Sequence, residues 1–82
     1  MPTTIVDARG LLCPLPLLKA KKALNELNPG QVVEVLATDS GSMRDFTTFC
    51  ELSGNKLLTA EETEGEYLYQ IEKTQRQNKR RS

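Results

Sequence analysis

The sequence predicts an α+β fold, a two-layer α/β sandwich in the order β-α-β-α-β-β. Its four-stranded mixed sheet carries both helices on one face. Three observations predict it. A β-branched run, a helical run and a second apolar run follow one another at the N-terminus, the pattern of a parallel β-α-β unit. Near the C-terminus, Tyr67, Tyr69 and Ile71 alternate with Leu68, Gln70 and Glu72, the period-two mark of a strand with one buried face. Finally, 82 residues suffice for one core and not for two.

Thr3 to Ala8 is short and β-branched and reads as the first strand. Arg9-Gly10 is a turn, and Leu11 and Leu12 can staple the following helix to the core. That helix is expected from Pro14 to about Leu27. Proline suits a first turn, whose N–H groups have no intrahelical partner. Leu17, Ala20, Leu24 and Leu27 recur at helical spacing and should face the sheet, with Lys19, Lys21, Lys22 and Asn25 largely off that line. Asn28-Pro29-Gly30 stops the helix.

Val32 to Ala37 is nearly all apolar, as a central strand should be. After a turn at Thr38–Gly41, Ser42 with Asp45 three residues on resembles a capping box for a second helix over Met43 to about Leu52. Met43, Phe46, Phe49 and Cys50 share one face of it, and Gly54 ends it. Asn55–Glu61 and Glu66–Lys73 read as two strands joined by Glu62-Thr63-Glu64-Gly65. A folded domain is thus expected over 1–73, with a basic, disordered tail over 74–82 carrying Arg76, Lys79, Arg80 and Arg81.

Composition narrows the function classes. Net charge is zero and histidine is absent, so neither a Cys-His nucleophile pair nor a structural zinc site can be assembled from this chain alone. Tryptophan is also absent and aromatics are few, which leaves no stacking platform for bases. So short a chain is not expected to enclose a metabolite, which favours action at its surface. No signal peptide or membrane-length apolar run is read, so a cytoplasmic protein with reduced thiols is expected. The acidic residues Glu61, Glu62, Glu64 and Glu66 form a hydrated hairpin tip, to which no acid–base role is assigned.

The chemistry concentrates on Cys13. With Pro14 as first helical residue, Cys13 becomes the N-cap, at the positive end of the helix dipole. That position is expected to lower the thiol pKa from roughly 8.5 to about 7.5 or less, with Arg9, Lys19 and Lys22 adding positive potential. No base, metal or oxyanion hole is expected beside it. A reactive, uncovered thiol of this kind suits accepting and passing on a group rather than hydrolysis. The plain alternative is a small buried apolar residue beside a proline-started helix. For Cys50, on the face of Phe46 and Phe49, core packing is the expected role, and a Cys13–Cys50 disulfide does not match a redox Cys-x-x-Cys spacing.

The string Asp7-x-x-Gly10-Leu11-x-Cys13-Pro14-x-Pro16 resembles the signature of the TusA/SirA family of small sulfur-carrier proteins. Pro29-Gly30, Asp39, Arg44-Asp45, Phe49-Cys50 and Gly54 also fall where that family tends to have such residues. The resemblance implies the same β-α-β-α-β-β sandwich over 1–73. It implies that Cys13 takes sulfane sulfur as a persulfide from a cysteine desulfurase or rhodanese and gives it to an acceptor protein. Gly10, Pro14 and Pro16 would support the motif, and Arg9, Leu15, Lys19 and Lys22 would serve docking or electrostatics. No cofactor or metal is implied, no membrane, and no direct nucleic-acid binding. Relatives end their relays in transfer-RNA thiolation, cofactor assembly or dissimilatory sulfur oxidation. Leu15 stands where some transfer-RNA members carry Glu, and with the Ala-Lys-Lys that follows, the helix is more similar to members from sulfur-oxidising bacteria. Two other readings compete: a non-catalytic regulatory module binding RNA or protein through the tail and the Lys19/Lys21/Lys22 face, and a thiol redox sensor.

Overall fold

The protein is described by a computed structural model, which describes residues 3–74. The element order is β1 (Thr4–Ala8), α1 (Leu15–Asn25), β2 (Val32–Ala37), α2 (Ser42–Ser53), β3 (Lys56–Thr63) and β4 (Glu66–Glu72). The strands form one sheet in the order β1-β2-β4-β3, with β1 parallel to β2 and the other two pairings antiparallel. This is the mixed sheet expected from the sequence. The tail positions 75–82, including Arg76, Lys79, Arg80 and Arg81, lie outside the described residues.

Register explains why one face of the sheet is apolar. Val6 pairs with Val35 and Ala8 with Ala37, while Val35 also pairs with Tyr69 and Val33 with Ile71. Side chains alternate along a strand, so these seven share one face. All are buried, and Ala20 and Leu24 of α1 and Phe46 and Cys50 of α2 complete the core against them. The Phe46 ring stacks on Tyr69 with centroids 4.5 Å apart. Tyr69 is fully buried and its hydroxyl meets that of Ser42 at 2.7 Å, which satisfies the two polar groups together.

Local departures from expectation have local causes. Helix α1 starts one residue later than Pro14 and ends at Asn25; its last turn tightens, Glu26 N–H donating to the Ala23 carbonyl and Leu27 N–H to that of Leu24. Lys73, from just beyond β4, reaches across to the same Leu24 carbonyl with its ammonium at 2.8 Å. Pro16 is buried as well as tolerated, so the apolar stripe begins one turn earlier than Ala20. The hairpin linker is two residues rather than four. Glu64 and Gly65 both have positive φ, 52° and 83°, the backbone of a tight turn that lets β3 run on to Thr63. Thr74, expected to begin the tail, is held by bonds to the Asn55 side chain and the Gly54 carbonyl.

Candidate functional site at the carboxyl ends of the parallel strands

The two parallel strands end side by side, and the segments leaving them converge. Beyond β1 the chain turns at Gly10, whose φ of 84° an L side chain rarely adopts. Its N–H donates to Thr38 Oγ1 at 2.8 Å, which ties the β1–α1 segment to the β2–α2 segment. Leu11 N–H closes the turn onto the Ala8 carbonyl. Cys13 follows, exposed, and its Sγ donates to a carboxylate oxygen of Asp45 on the first turn of α2. Gly41 lies alongside: a Cβ there would come within 3.9 Å of Cys13 Cβ and 3.1 Å of Asp39 Oδ2. Open α/β sheets commonly place their sites at such a crevice beyond the carboxyl ends of strands.

Cys13 is not the cap of α1. Pro14 occupies that position, and the Cys13–Pro14 peptide bond is cis. The Leu15 N–H donates to the Leu12 carbonyl at 2.8 Å. The sulfur therefore sits before the helix, with its nearest polar partner on the other helix.

Electrostatics follow that placement and correct the expected lowering of the thiol pKa. The Asp45 carboxylate accepting its proton pushes the Cys13 thiol up from its ordinary value. Desolvation and the negative charges of Asp45 and Asp39 act in the same direction, with Arg44 opposing them. A carboxylate thus stands beside the thiol, where no base was expected. Ser42 and Asp45 form no capping box: Gly41 caps α2 without a side-chain bond, Ser42 faces Tyr69, and Asp45 faces Cys13.

A family model described as sulfurtransferase TusA matches residues 4–73. The chain belongs to the TusA family. It is 48% identical over 69 residues to the sulfur carrier protein TusA of Allochromatium vinosum, covering 84% of this chain and 91% of that one. It is 41% identical over 69 residues to the sulfur carrier protein TusA of Pseudomonas aeruginosa, covering 84% and 87%. Among solved structures it resembles the SirA-like protein of Desulfitobacterium hafniense, with a TM-score of 0.77 at 32% identity over 88% of this chain and 99% of that one.

Within this TusA-family fold the residues singled out from sequence divide into three groups. Gly10, Pro14 and Pro16 belong to the segment that presents Cys13, the last as a core anchor. Leu15, with Leu12 and Leu18, leaves apolar surface beside the motif, at 47%, 69% and 50% exposure. Arg9, Lys19 and Lys22 do not supply the expected positive potential. Arg9 forms a two-pronged ion pair with Asp7 at 2.9 and 3.0 Å, which holds the Asp7 carboxyl down at about 2. Lys19 donates to the Asp7 backbone carbonyl at 3.2 Å, and Lys22 lines a shallow groove with Ile5 and Asp7.

Asp39, Gly41, Arg44 and Asp45 are the neighbours sequence reasoning missed. Asp45 lies 32 residues from Cys13. The one signal for it was the presence of Arg44-Asp45 among the residues that carry the family likeness. Cys50 sits in the core at 6% exposure, where burial pushes its thiol up to about 11. Among the described residues, no group of three or more metal-ligating side chains occurs, and no helix is long and apolar enough to cross a membrane.

Proposed function

We propose that the protein is a sulfur carrier that holds sulfane sulfur as a persulfide on Cys13 and moves it from a donor protein to an acceptor protein. The observation that carries this reading is the exposed Cys13 thiol at the convergence of the two strand ends, inside a chain of the TusA family. In loading, Cys13 Sγ bonds to the terminal sulfur of the donor's persulfide. The donor's own S–S bond breaks, and the donor sulfur leaves as a thiolate that takes up the proton lost by Cys13. Discharge is the same exchange with Cys13 as leaving group. No electrons enter or leave, so no cofactor is required.

A shallow, open site suits this role, because the donor and acceptor supply the remaining groups. Leu12, Leu15 and Leu18 provide apolar surface against which either protein can pack around the sulfur. The donor class expected is a cysteine desulfurase or rhodanese, and the fitting compartment is the reducing cytoplasm. The RNA-binding alternative rests on the Lys19/Lys21/Lys22 face, which stays exposed: Lys19 donates to the Asp7 backbone carbonyl and Lys21 Nζ lies 5.8 Å from the centre of the Phe49 ring, contacts that leave their charges in place.

Incubation of the reduced protein with a cysteine desulfurase and cysteine tests the reading. The intact mass should gain one sulfur, which dithiothreitol should then remove with release of sulfide. Absence of a gain, or a gain that dithiothreitol leaves in place, contradicts it.

A further inference from the structure

We propose that Asp45 is the second working residue of the site: its carboxylate holds the proton of the empty Cys13 thiol and keeps the carrier unreactive until a donor persulfide is brought against it. The proposal rests on the reading of Cys13 as the sulfur-carrying atom and adds to it the control of that atom. Its first support is geometric. Cys13 Sγ donates to Asp45 Oδ2 across 32 residues of sequence, from a rigid turn to the first turn of another helix. Asp45 makes no side-chain cap bond; the first turn of α2 favours an acid through the helix dipole, and the hydrogen bond of its carboxylate goes to the thiol.

The charges facing the sulfur are few. Asp39, on the segment after β2, adds a second negative charge, while its Oδ2 is held by the Gly41 N–H at 3.0 Å. Among the described residues, Arg44, beside Asp45 on α2, is the one cation that acts on the sulfur in the other sense. On the sulfur's own side, Arg9 is paired with Asp7 and Lys19 is bonded to the Asp7 carbonyl. The thiolate is the nucleophile, and two carboxylates against one arginine disfavour it. An exposed thiol is thereby shielded from adventitious oxidants and electrophiles.

Loading and proton movement then fit together. As Cys13 Sγ bonds to the donor's sulfane sulfur, its proton passes by way of Asp45 to the departing donor thiolate, and the carboxylate is regenerated. Once loaded, Sγ bears sulfur in place of hydrogen and no longer donates to Asp45. The carboxylate then repels an anionic terminal sulfur, which favours its presentation outward to an acceptor.

The test is the pH dependence of Cys13 alkylation by iodoacetamide, read by peptide mass mapping on the full chain. In the unaltered protein the midpoint should lie above that of free cysteine. Asp45→Asn should move it downward, and a midpoint lower by about one on the pH scale means about a tenfold gain in thiolate at neutral pH. Asp45→Glu should restore the high midpoint, and Arg44→Ala should raise it further. Thermal unfolding of each variant checks that the fold persists. An unaltered midpoint at or below that of free cysteine overturns the proposal, and so does a folded Asp45→Asn with an unchanged profile. Because no sulfur is transferred, the outcome is independent of the loading experiment: loss of loading with this profile intact would remove the carrier reading and leave the proton-holding role of Asp45.

Discussion

Cys13→Ser should abolish sulfur loading, and Cys50→Ser should leave it intact. The expectation follows from where the two sulfurs lie. Cys13 is exposed at the meeting point of the strand ends, while Cys50 is packed in the core with Phe46 and its thiol is pushed up to about 11 by burial. A serine hydroxyl cannot form a persulfide, although it can still donate to Asp45, so the fold around position 13 should survive. The loss is therefore one of chemistry, and the far-ultraviolet spectrum and unfolding midpoint of Cys13→Ser should match the parent. Cys50→Ser should instead lower stability, by about 1–3 kcal/mol, since it buries a hydroxyl among apolar side chains. Intact-mass measurement after exposure to a desulfurase and cysteine distinguishes the two. A Cys13→Ser protein that still gains sulfur would sink the assignment.

Phe46→Ala should be the most damaging single change to the fold. The ring is fully buried, stacks on Tyr69 and bridges α2 to the central strands. Truncating a buried aromatic costs about 3–5 kcal/mol. A domain this small is expected near the lower end of natural stabilities, about 5 kcal/mol. The variant should therefore keep no more than about 2 kcal/mol of stability, and its urea midpoint, followed by circular dichroism, should fall to less than about half that of the parent. Leu52→Ala on the same helix is the control: Leu52 is 84% exposed, and its removal should change stability by no more than about 0.5 kcal/mol. A Phe46→Ala midpoint close to that of Leu52→Ala would mean that the core is organised differently.

Much of the fold was legible because period and punctuation agreed. The alternation at Tyr67, Tyr69 and Ile71, the apolar run Val32–Ala37 and the glycine after α2 each act within a few residues, and each holds in the structure. Cys13 was legible for the same reason, as a residue marked by its neighbours Gly10, Pro14 and Pro16. What surrounds the sulfur was not. The register of β1 on β2 decides which loop tips meet, and it brings Asp39, Gly41 and Asp45 against a turn more than 25 positions away in the chain. Read locally, Asp45 looked like a capping partner for Ser42. Tertiary pairing overrode that, because Ser42 is drawn inward to Tyr69 and leaves Asp45 to the thiol. The sign of the charge at the site was misread by the same route. Arg9 and Lys19 lie near Cys13 in sequence, but in the fold Arg9 pairs with the Asp7 carboxylate and Lys19 donates to the Asp7 backbone carbonyl.

The most direct test of the central claim is to locate the transferred sulfur atom. The loaded protein is capped with iodoacetamide, digested and fragmented by tandem mass spectrometry. The persulfide adduct is expected on the peptide containing Cys13 and confined to that residue. An adduct on Cys50, or an unmodified Cys13 in a protein that has gained sulfur, would contradict the account.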